Sequence, residues 1–312
     1  MKVAVSFLAF LIIIFSAIPF MLTSCKKEDI NDANKIITVY DKQSNQIIKL
    51  DLEDYLIGVV SGEMPAHFSL NALMAQSVAA RTYALRKVNK SLSEHKGADL
   101  CTDFAHCQAY IDNEKAKLNW GKSYEKNLKK IKSAVNETKG EYLEYNNDFA
   151  ITVFHSCSNG ITEKASEVWG GNIPYLVSVE SPGDYIKKDY ITKSEFTEKD
   201  FKEKLKNYLK KDIDFSKEPI GEISYTSGSN VAQICLFGQN FKGTDIRTIF
   251  SLKSSSFSIE KNNDKYIFTA TGSGHGVGMS QYGAEKMAQD NISYKKILSH
   301  YYPGTKLKKA YN

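Results

Sequence analysis

The chain has 312 residues, 12% of them aromatic and 25% charged, and its 41 Lys and Arg against 36 Asp and Glu leave a net charge of +5. That length supports one large domain or two modest ones with their own cores, and the composition excludes a disordered tail. No block of basic residues interleaved with aromatics is present, which argues against nucleic acid as a partner, and the mild positive balance suits an anionic polymer or plain solubility equally well.

Lys2 precedes an uncharged apolar run from Val3 to Leu22, followed by Thr23-Ser24-Cys25 and the charged Lys26-Lys27-Glu28-Asp29. The run is long enough to span a bilayer's hydrocarbon core, so residues 1–25 read as an uncleaved anchor or a signal peptide. Leu22-Thr23-Ser24-Cys25 also resembles a lipobox that would place lipid on Cys25. The length of the run favours the anchor, and every one of these readings puts the globular part outside the cytoplasm. Five cysteines, Cys25, Cys101, Cys107, Cys157 and Cys235, make no even disulfide framework.

After a polar linker over residues 26–35, Ile36–Tyr40 and Gln46–Leu50 read as a β-hairpin turned by Asp41–Asn45. Asp51 supplies an N-cap, and Leu52, Tyr55, Leu56, Val59 and Val60 recur at helical spacing. A second, Ala-rich helix begins at the N-cap Ser69, with Leu70, Leu73, Met74, Ser77, Val78 and Arg81 on one stripe. Residues 95–110 lack periodicity and read as a loop. Ile151–Cys157 has the β-branched and aromatic content of a strand and runs into the turn signal Ser158-Asn159-Gly160.

Between residues 195 and 265 the composition shifts to a Lys-rich amphipathic helix carrying Phe201, Leu205, Tyr208 and Leu209, then strands near 223–225, 232–236 and 265–268. This pattern predicts an α+β fold: a main domain over 36–194 and 266–312, and a smaller α+β lobe over 195–265, the two forming a groove. A Gly-rich loop from Gly272 to Gly278 opens the next helix, and a last helix runs from Ser293 to Tyr301, stopped by Pro303-Gly304.

The apolar stripe of the first helix, continued by one turn, lands on Glu63 in Gly62-Glu63-Met64-Pro65. Burial and the negative end of the helix dipole both disfavour an ionised carboxylate there, the conditions for a general acid. The bland alternative is a surface ion pair with Arg81 or Lys87.

The segments Glu53–Val60, Gly62–Pro65, Ala72–Ala84, His155-Ser156 with Asn159-Gly160, Val168–Gly170 with Pro174–Leu176, and Gly274–Ala284 together resemble the family of stage II sporulation protein D and the related amidase-enhancer domain. The resemblance covers most of the chain outside the N-terminal segment and the stretch 195–265. It implies a lytic transglycosylase that cuts peptidoglycan between N-acetylmuramic acid and N-acetylglucosamine, with Glu63 as its one catalytic residue. It also implies a role in engulfment during sporulation, between the mother cell and forespore membranes, on strands stripped by a stage II sporulation protein P amidase, with a membrane scaffold as a further partner. Arg81, His155, Ser156, Asn159, Gly160, His275, Gln281 and Tyr282 are the expected sugar contacts.

His95, Cys101, His106 and Cys107 offer two imidazoles and two thiols, a sufficient set for a closed, structural zinc site; a Cys101–Cys107 disulfide is the competing reading. Some members of the resembled family bind zinc through such a loop. His155 and Cys157 share a strand face, and residues two apart point in parallel, so a Cys–His nucleophilic pair is not expected. The absence of His-Glu-x-x-His weakens a metallopeptidase reading.

Overall fold

A computed structural model describes residues 35–88, 95–103 and 105–311; the expected anchor, Cys25 and nearly all of the linker lie outside these. The first strands, β1 (Ile36–Asp41) and β2 (Gln46–Asp51), form the expected antiparallel hairpin. Asp51 caps α1 (Leu52–Glu63), its carboxylate accepting from the Glu53 and Asp54 amides. Leu52, Tyr55, Leu56, Val59 and Val60 are all buried, as their spacing requires.

The next helix, α2 (Leu70–Lys87), is buried almost all round, not along one stripe. It runs through the middle of the core and touches α1 and most later elements of the main body, which explains its small side chains. Ser69 stands at its N-cap position, but the hydroxyl does not cap; the Ser69 amide and hydroxyl both donate to Glu285 at 2.6 and 3.2 Å. The 95–110 segment, expected as a loop throughout, contributes a short strand β3 (Leu100–Cys101) parallel to β1.

Then come α3 (Asn113–Trp120), α4 (Tyr124–Glu137), β4 (Glu141–Tyr145), β5 (Asp148–Phe149) and β6 (Phe154–His155). The expected strand over 151–157 is reduced to the two residues of β6, paired in parallel with Met279–Ser280, and an isolated bridge from Cys157 to Ser273 of the Gly-rich loop. A short α5 (Ala165–Val168) follows, then β7 (Ile191–Thr197), α6 (Glu198–Leu209), β8 (Ile223–Tyr225), β9 (Val231–Leu236), β10 (Gln239–Lys242), α7 (Gly243–Ile249), β11 (Phe257–Asn262) and β12 (Lys265–Thr271). The chain ends with β13 (Met279–Ser280), α8 (Gln281–Gln289), α9 (Tyr294–Tyr301) and β14 (Lys306–Lys309), which pairs with β4.

The architecture is α+β, built from small sheets ordered β2-β1-β3, β14-β4-β5, β13-β6, β10-β9-β8 and β11-β12-β7. One hydrophobic cluster gathers α1, α2, α4, α8 and α9 with the first strands. A second gathers Phe201, Leu205, Ile234, Leu236, Phe250, Tyr266 and Phe268, with Phe201 stacked on Tyr266 at 3.8 Å between ring centroids. Tyr266, Phe268 and Ala270, beyond the boundary at 265 suggested by composition, belong to this second cluster because β12 pairs with β7 and β11.

Candidate functional site

Glu63 is the last residue of α1, and the backbone that reaches it is made possible by two glycines one turn apart. A Cβ on Gly58 would lie 2.3 Å from the Tyr110 ring, and one on Gly62 would lie 3.1 Å from the Ala109 carbonyl carbon. The segment 109–111 therefore lies directly on α1, with the Ile111 amide bonded to the Gly58 carbonyl. This contact brings the Ala109 N–H to 2.6 Å from Glu63 Oε1. From the other side Gln281, the first residue of α8, turns its Nε2 toward Glu63 Oε2 at 3.4 Å and toward Gln76 Oε1 at 3.5 Å.

Burial raises the Glu63 pKa above the usual carboxylate range, partly offset by the hydrogen bonds from Ala109 and Gln281. The carboxyl opens on a cavity of about 220 Å³ lined also by Tyr83, Cys107, Gln108, Thr152, Val153, Phe154 and His275. Gln108 is buried there with both side-chain amide atoms lacking a protein partner. No second carboxylate lines this cavity among the described residues.

His275 is shared between this cavity and a larger one of about 630 Å³, lined by Glu163, Glu167, Trp169, Asn230, Gln233 and Arg247 among others. Its Nδ1 accepts the Val277 amide at 3.1 Å, which leaves the proton of the neutral ring on Nε2. Burial, reinforced by Arg247, brings its pKa down to about 4. Trp169 is half exposed and its ring stands 4.9 Å from that of His275, an aromatic face at the cavity wall.

The other expected sugar contacts divide. Ser156 lines a third cavity of about 430 Å³ together with Arg247, Ser273 and Gly274. His155 is buried behind His275, its ring 5.6 Å away and its pKa down to about 3 through burial and then His275. Tyr282 packs edge-on against Phe68. Asn159 spends its amide donors on the Gly228 carbonyl and Ser256 Oγ, both at 3.0 Å, and so ties two stretches of chain together. Gly160 is a turn residue at φ 107° whose amide donates to Ser158 Oγ. Neither Asn159 nor Gly160 lines a described cavity.

Arg81 corrects the sequence reading outright. It is fully buried, and instead of facing sugar it forms a bidentate pair with Glu53, Nε to Oε1 at 2.9 Å and Nη2 to Oε2 at 2.6 Å. The pairing of Arg81 with Glu63 weighed from sequence is thereby excluded too. The glycines of the Gly-rich loop admit close approach of protein, a Cβ on Gly278 falling 2.1 Å from the Val153 carbonyl oxygen. Cys157 is buried, with its thiol pushed up to about 11 by burial, the state of a core residue and not of a nucleophile. Sequence reasoning passed over Tyr83, Gln108, Trp169, Glu163 and Arg247. Tyr83 follows Arg81-Thr82 in the helix motif, and Trp169 lies in Val168-Trp169-Gly170, so both carried a motif signal; the rest carried none.

His95, Cys101, His106 and Cys107 converge into a group able to hold a metal ion, all four ligand atoms within 4.8 Å of one another. His95 Nε2 is 2.9 Å from His106 Nδ1 and 3.2 Å from Cys107 Sγ, and Cys101 Sγ is 3.6 Å from His106 Nδ1. Ligand bonds of about 2.0–2.3 Å to a tetrahedral ion imply ligand–ligand edges of about 3.3–3.8 Å, close to these spacings. Both thiols are free. Burial, with the neighbouring Cys107 adding to it, pushes the Cys101 thiol up to about 11, so a pair of thiolates here needs a cation between them. Burial and His106 lower the His95 pKa and keep a ring nitrogen available as a ligand.

The family model described as Stage II sporulation protein matches residues 40–145. The chain is 41% identical over 276 residues to stage II sporulation protein D of Bacillus subtilis (strain 168), covering 88% of this chain and 79% of that protein. It is 39% identical over the same length to stage II sporulation protein D of Bacillus amyloliquefaciens. It is also 30% identical over 304 residues to a protein of Bacillus subtilis (strain 168) named amidase enhancer, with 81% of this chain and 40% of that protein covered. Identity of this extent, together with the matching family model, shows that the chain belongs to the family of stage II sporulation protein D.

Proposed function

We propose that the protein is a peptidoglycan lytic transglycosylase in which Glu63 serves as acid and then as base. The observation that carries this reading is a single buried carboxyl, its pKa raised, facing a cavity with no second carboxylate among the described residues. A glycosidase that uses water or forms a glycosyl-enzyme needs a carboxylate pair, whereas one carboxyl suffices when the nucleophile belongs to the substrate. Glu63 donates its proton to the bridging oxygen as the bond from muramic acid C1 to that oxygen breaks, which frees N-acetylglucosamine with its 4-hydroxyl. The resulting carboxylate takes the proton from the muramic acid 6-hydroxyl as that oxygen closes on C1. The product is a 1,6-anhydro end, Glu63 is protonated again, and no water is consumed. The Ala109 amide and the Gln281 side chain hold the carboxyl in place, and the His275 ring, whose remaining N–H interacts with the Phe154 carbonyl, forms part of the cavity wall.

In this reading the main domain and the smaller lobe, which the pairing of β7 with β12 extends to Ile191–Thr271, form the two walls of the glycan groove. Residues 1–25 anchor the protein in the cell membrane with the catalytic part outside the cytoplasm. Among the described residues no helix is long and apolar enough to cross a membrane. The sporulation role, the partner amidase of the stage II sporulation protein P type and a membrane scaffold belong to the same proposal.

We infer zinc as the metal for His95, Cys101, His106 and Cys107, since two thiols and two imidazoles at tetrahedral spacing suit it. Four protein ligands leave no open position, so a bound zinc would supply structure and no chemistry. Cys107 is two residues from Ala109, whose amide holds Glu63, and the Tyr83 hydroxyl donates to the His106 carbonyl at 3.3 Å. Chelation is therefore expected to lower the melting temperature of the full chain by several degrees, read by scanning fluorimetry. Activity should fall on the same time course as the fluorimetric change; activity lost at once with an unchanged melting temperature would mean a catalytic metal instead.

The direct test is mass spectrometry of glycan strands, stripped of stem peptides, after incubation with the full chain in detergent. Fragments ending in 1,6-anhydromuramic acid are the expected result. Reducing ends would mean a hydrolase. Intact strands that remain bound would favour a non-catalytic amidase-enhancing or wall-binding module, a reading favoured by the relative named amidase enhancer.

A further inference from the structure

One cation lining the larger cavity forms no ion pair among the described residues. Arg247 lies in the last turn of α7, half-buried, and its guanidinium makes no ion pair or side-chain hydrogen bond among the described residues. Burial alone perturbs it, with no neighbouring carboxylate acting in the opposite direction. A guanidinium taken partly out of water without a partner is costly to the fold, and the usual compensation is a planar anion held bidentately.

The two cavities that meet at Arg247 differ in charge. In the larger one, Glu163 and Glu167 are present: Glu163 Oε1 accepts from Thr226 Oγ1 at 3.0 Å and from the Asn230 amide at 3.3 Å while its Oε2 is buried without a hydrogen-bond partner, and Glu167 Oε2 accepts from the Ser227 amide at 3.2 Å; neither carboxylate is paired with Arg247. Lys242 lines the same cavity. The cavity of about 430 Å³ is lined by Arg247, Lys253, Ser156, Thr248, Ser251, Leu252, Ser273 and Gly274, two cations and several hydroxyls with no carboxylate among the described residues. Arg247 also touches the cavity of His275, which in turn borders the one containing Glu63.

We propose that Arg247, assisted by Lys253, binds the free carboxylate of a lactyl ether on muramic acid and so determines which strands enter the groove. The inference rests on the transglycosylase reading for its substrate class. The lactyl carboxylate is the anionic group of a glycan strand, and it exists only where no stem peptide is attached. When a peptide is present, the same carbon is a neutral amide that offers the guanidinium no charge and brings bulk into the cavity. The preference for a stripped strand thus has a chemical origin at one side chain, apart from the chemistry at Glu63.

Binding separates the two questions. The full chain carrying Glu63→Gln, which leaves strands uncut, is titrated calorimetrically with peptide-free strands, with the same strands after conversion of the lactyl carboxylate to its methylamide, and with peptide-bearing strands. The free carboxylate is expected to bind on the order of 10- to 100-fold more tightly than the methylamide. Adding Arg247→Gln should remove that difference by weakening the carboxylate strands alone, and Lys253→Gln, at an exposed position, should give a smaller loss in the same direction. Equal binding of carboxylate and methylamide strands overturns the assignment, as does equal weakening of both by Arg247→Gln with the melting temperature unchanged. Peptide-bearing strands bound as tightly as stripped ones would also overturn it, since the anion would then belong to the peptide. Cleavage by the parent chain, measured in parallel, reports on the transglycosylase reading independently.

Discussion

Replacing Glu63 by Gln is expected to slow glycan cleavage by roughly three to four orders of magnitude, the upper end of what general acid–base catalysis supplies, because one group performs both proton transfers. Gln keeps the shape of the side chain and can still accept the Ala109 amide at Oε1. The loss would therefore be chemical and not positional, and circular dichroism should be unchanged. The pH profile gives a second readout. Donation requires the protonated acid, so kcat/KM falls as pH rises through the Glu63 pKa, and burial moves that fall to higher pH than an exposed glutamate near 4.3 would give. The same shift makes the carboxylate a stronger base for the second transfer. Stability follows the opposite interest. A carboxyl whose folded-state pKa is raised contributes most below its unfolded pKa and loses that contribution as pH rises through the folded one. At pH 8 the Gln variant is thus expected to melt no lower than the parent, and at or slightly above it. A large fall in melting temperature with activity retained would refute the assignment of Glu63.

The distance between sequence and structure is instructive at particular residues. Hairpin, α1 and α2 were legible because apolar spacing and the Asp51 cap are local signals, and Glu63 stood out as a carboxyl continuing an apolar stripe. The ligand set His95, Cys101, His106 and Cys107 was legible because its members lie close in sequence. The helices α3 and α4 were passed over although Leu128, Ile131, Ala134 and Val135, all buried, carry a helical period. Their polar surroundings masked it. Arg81 was misplaced for a different reason: its stripe position shows that it points inward, but the acid it meets, Glu53, lies on the preceding helix, and only the crossing of α1 and α2 brings them together. Glu163, Trp169 and Arg247, which line one cavity, belong to segments about 80 residues apart that meet only in the folded chain, and no periodicity encodes such a meeting.

Arg81→Met is expected to be the most destabilising single change in the main core, at about 3–5 kcal/mol, because it strands a buried carboxylate. All the guanidinium N–H groups are used: besides the two bonds to Glu53, Nη1 donates to the Glu141 carbonyl at 3.1 Å and Thr138 Oγ1 at 3.5 Å, and Nη2 donates to the Val135 carbonyl at 3.2 Å. Glu53 in turn accepts the Tyr311 hydroxyl at 2.7 Å and the Gly140 amide at 3.3 Å. One ion pair thereby joins α1, α2, the end of α4, β4 and the C-terminal segment. The side chains are 0% and 9% exposed, so water cannot replace what is lost. The melting temperature should fall by roughly 10 °C. Glu53→Leu combined with Arg81→Met removes both charges and should recover a large part of the loss, the coupling expected of a buried pair whose single deletions leave an uncompensated charge. Additive losses in that cycle would mean that Arg81 acts through its carbonyl and hydroxyl partners and not through Glu53. Sugar binding separates this role from the one expected from sequence: if Arg81→Met weakened binding to glycan below the melting transition, the residue would have to reach the groove, and the buried pair allows it no such reach.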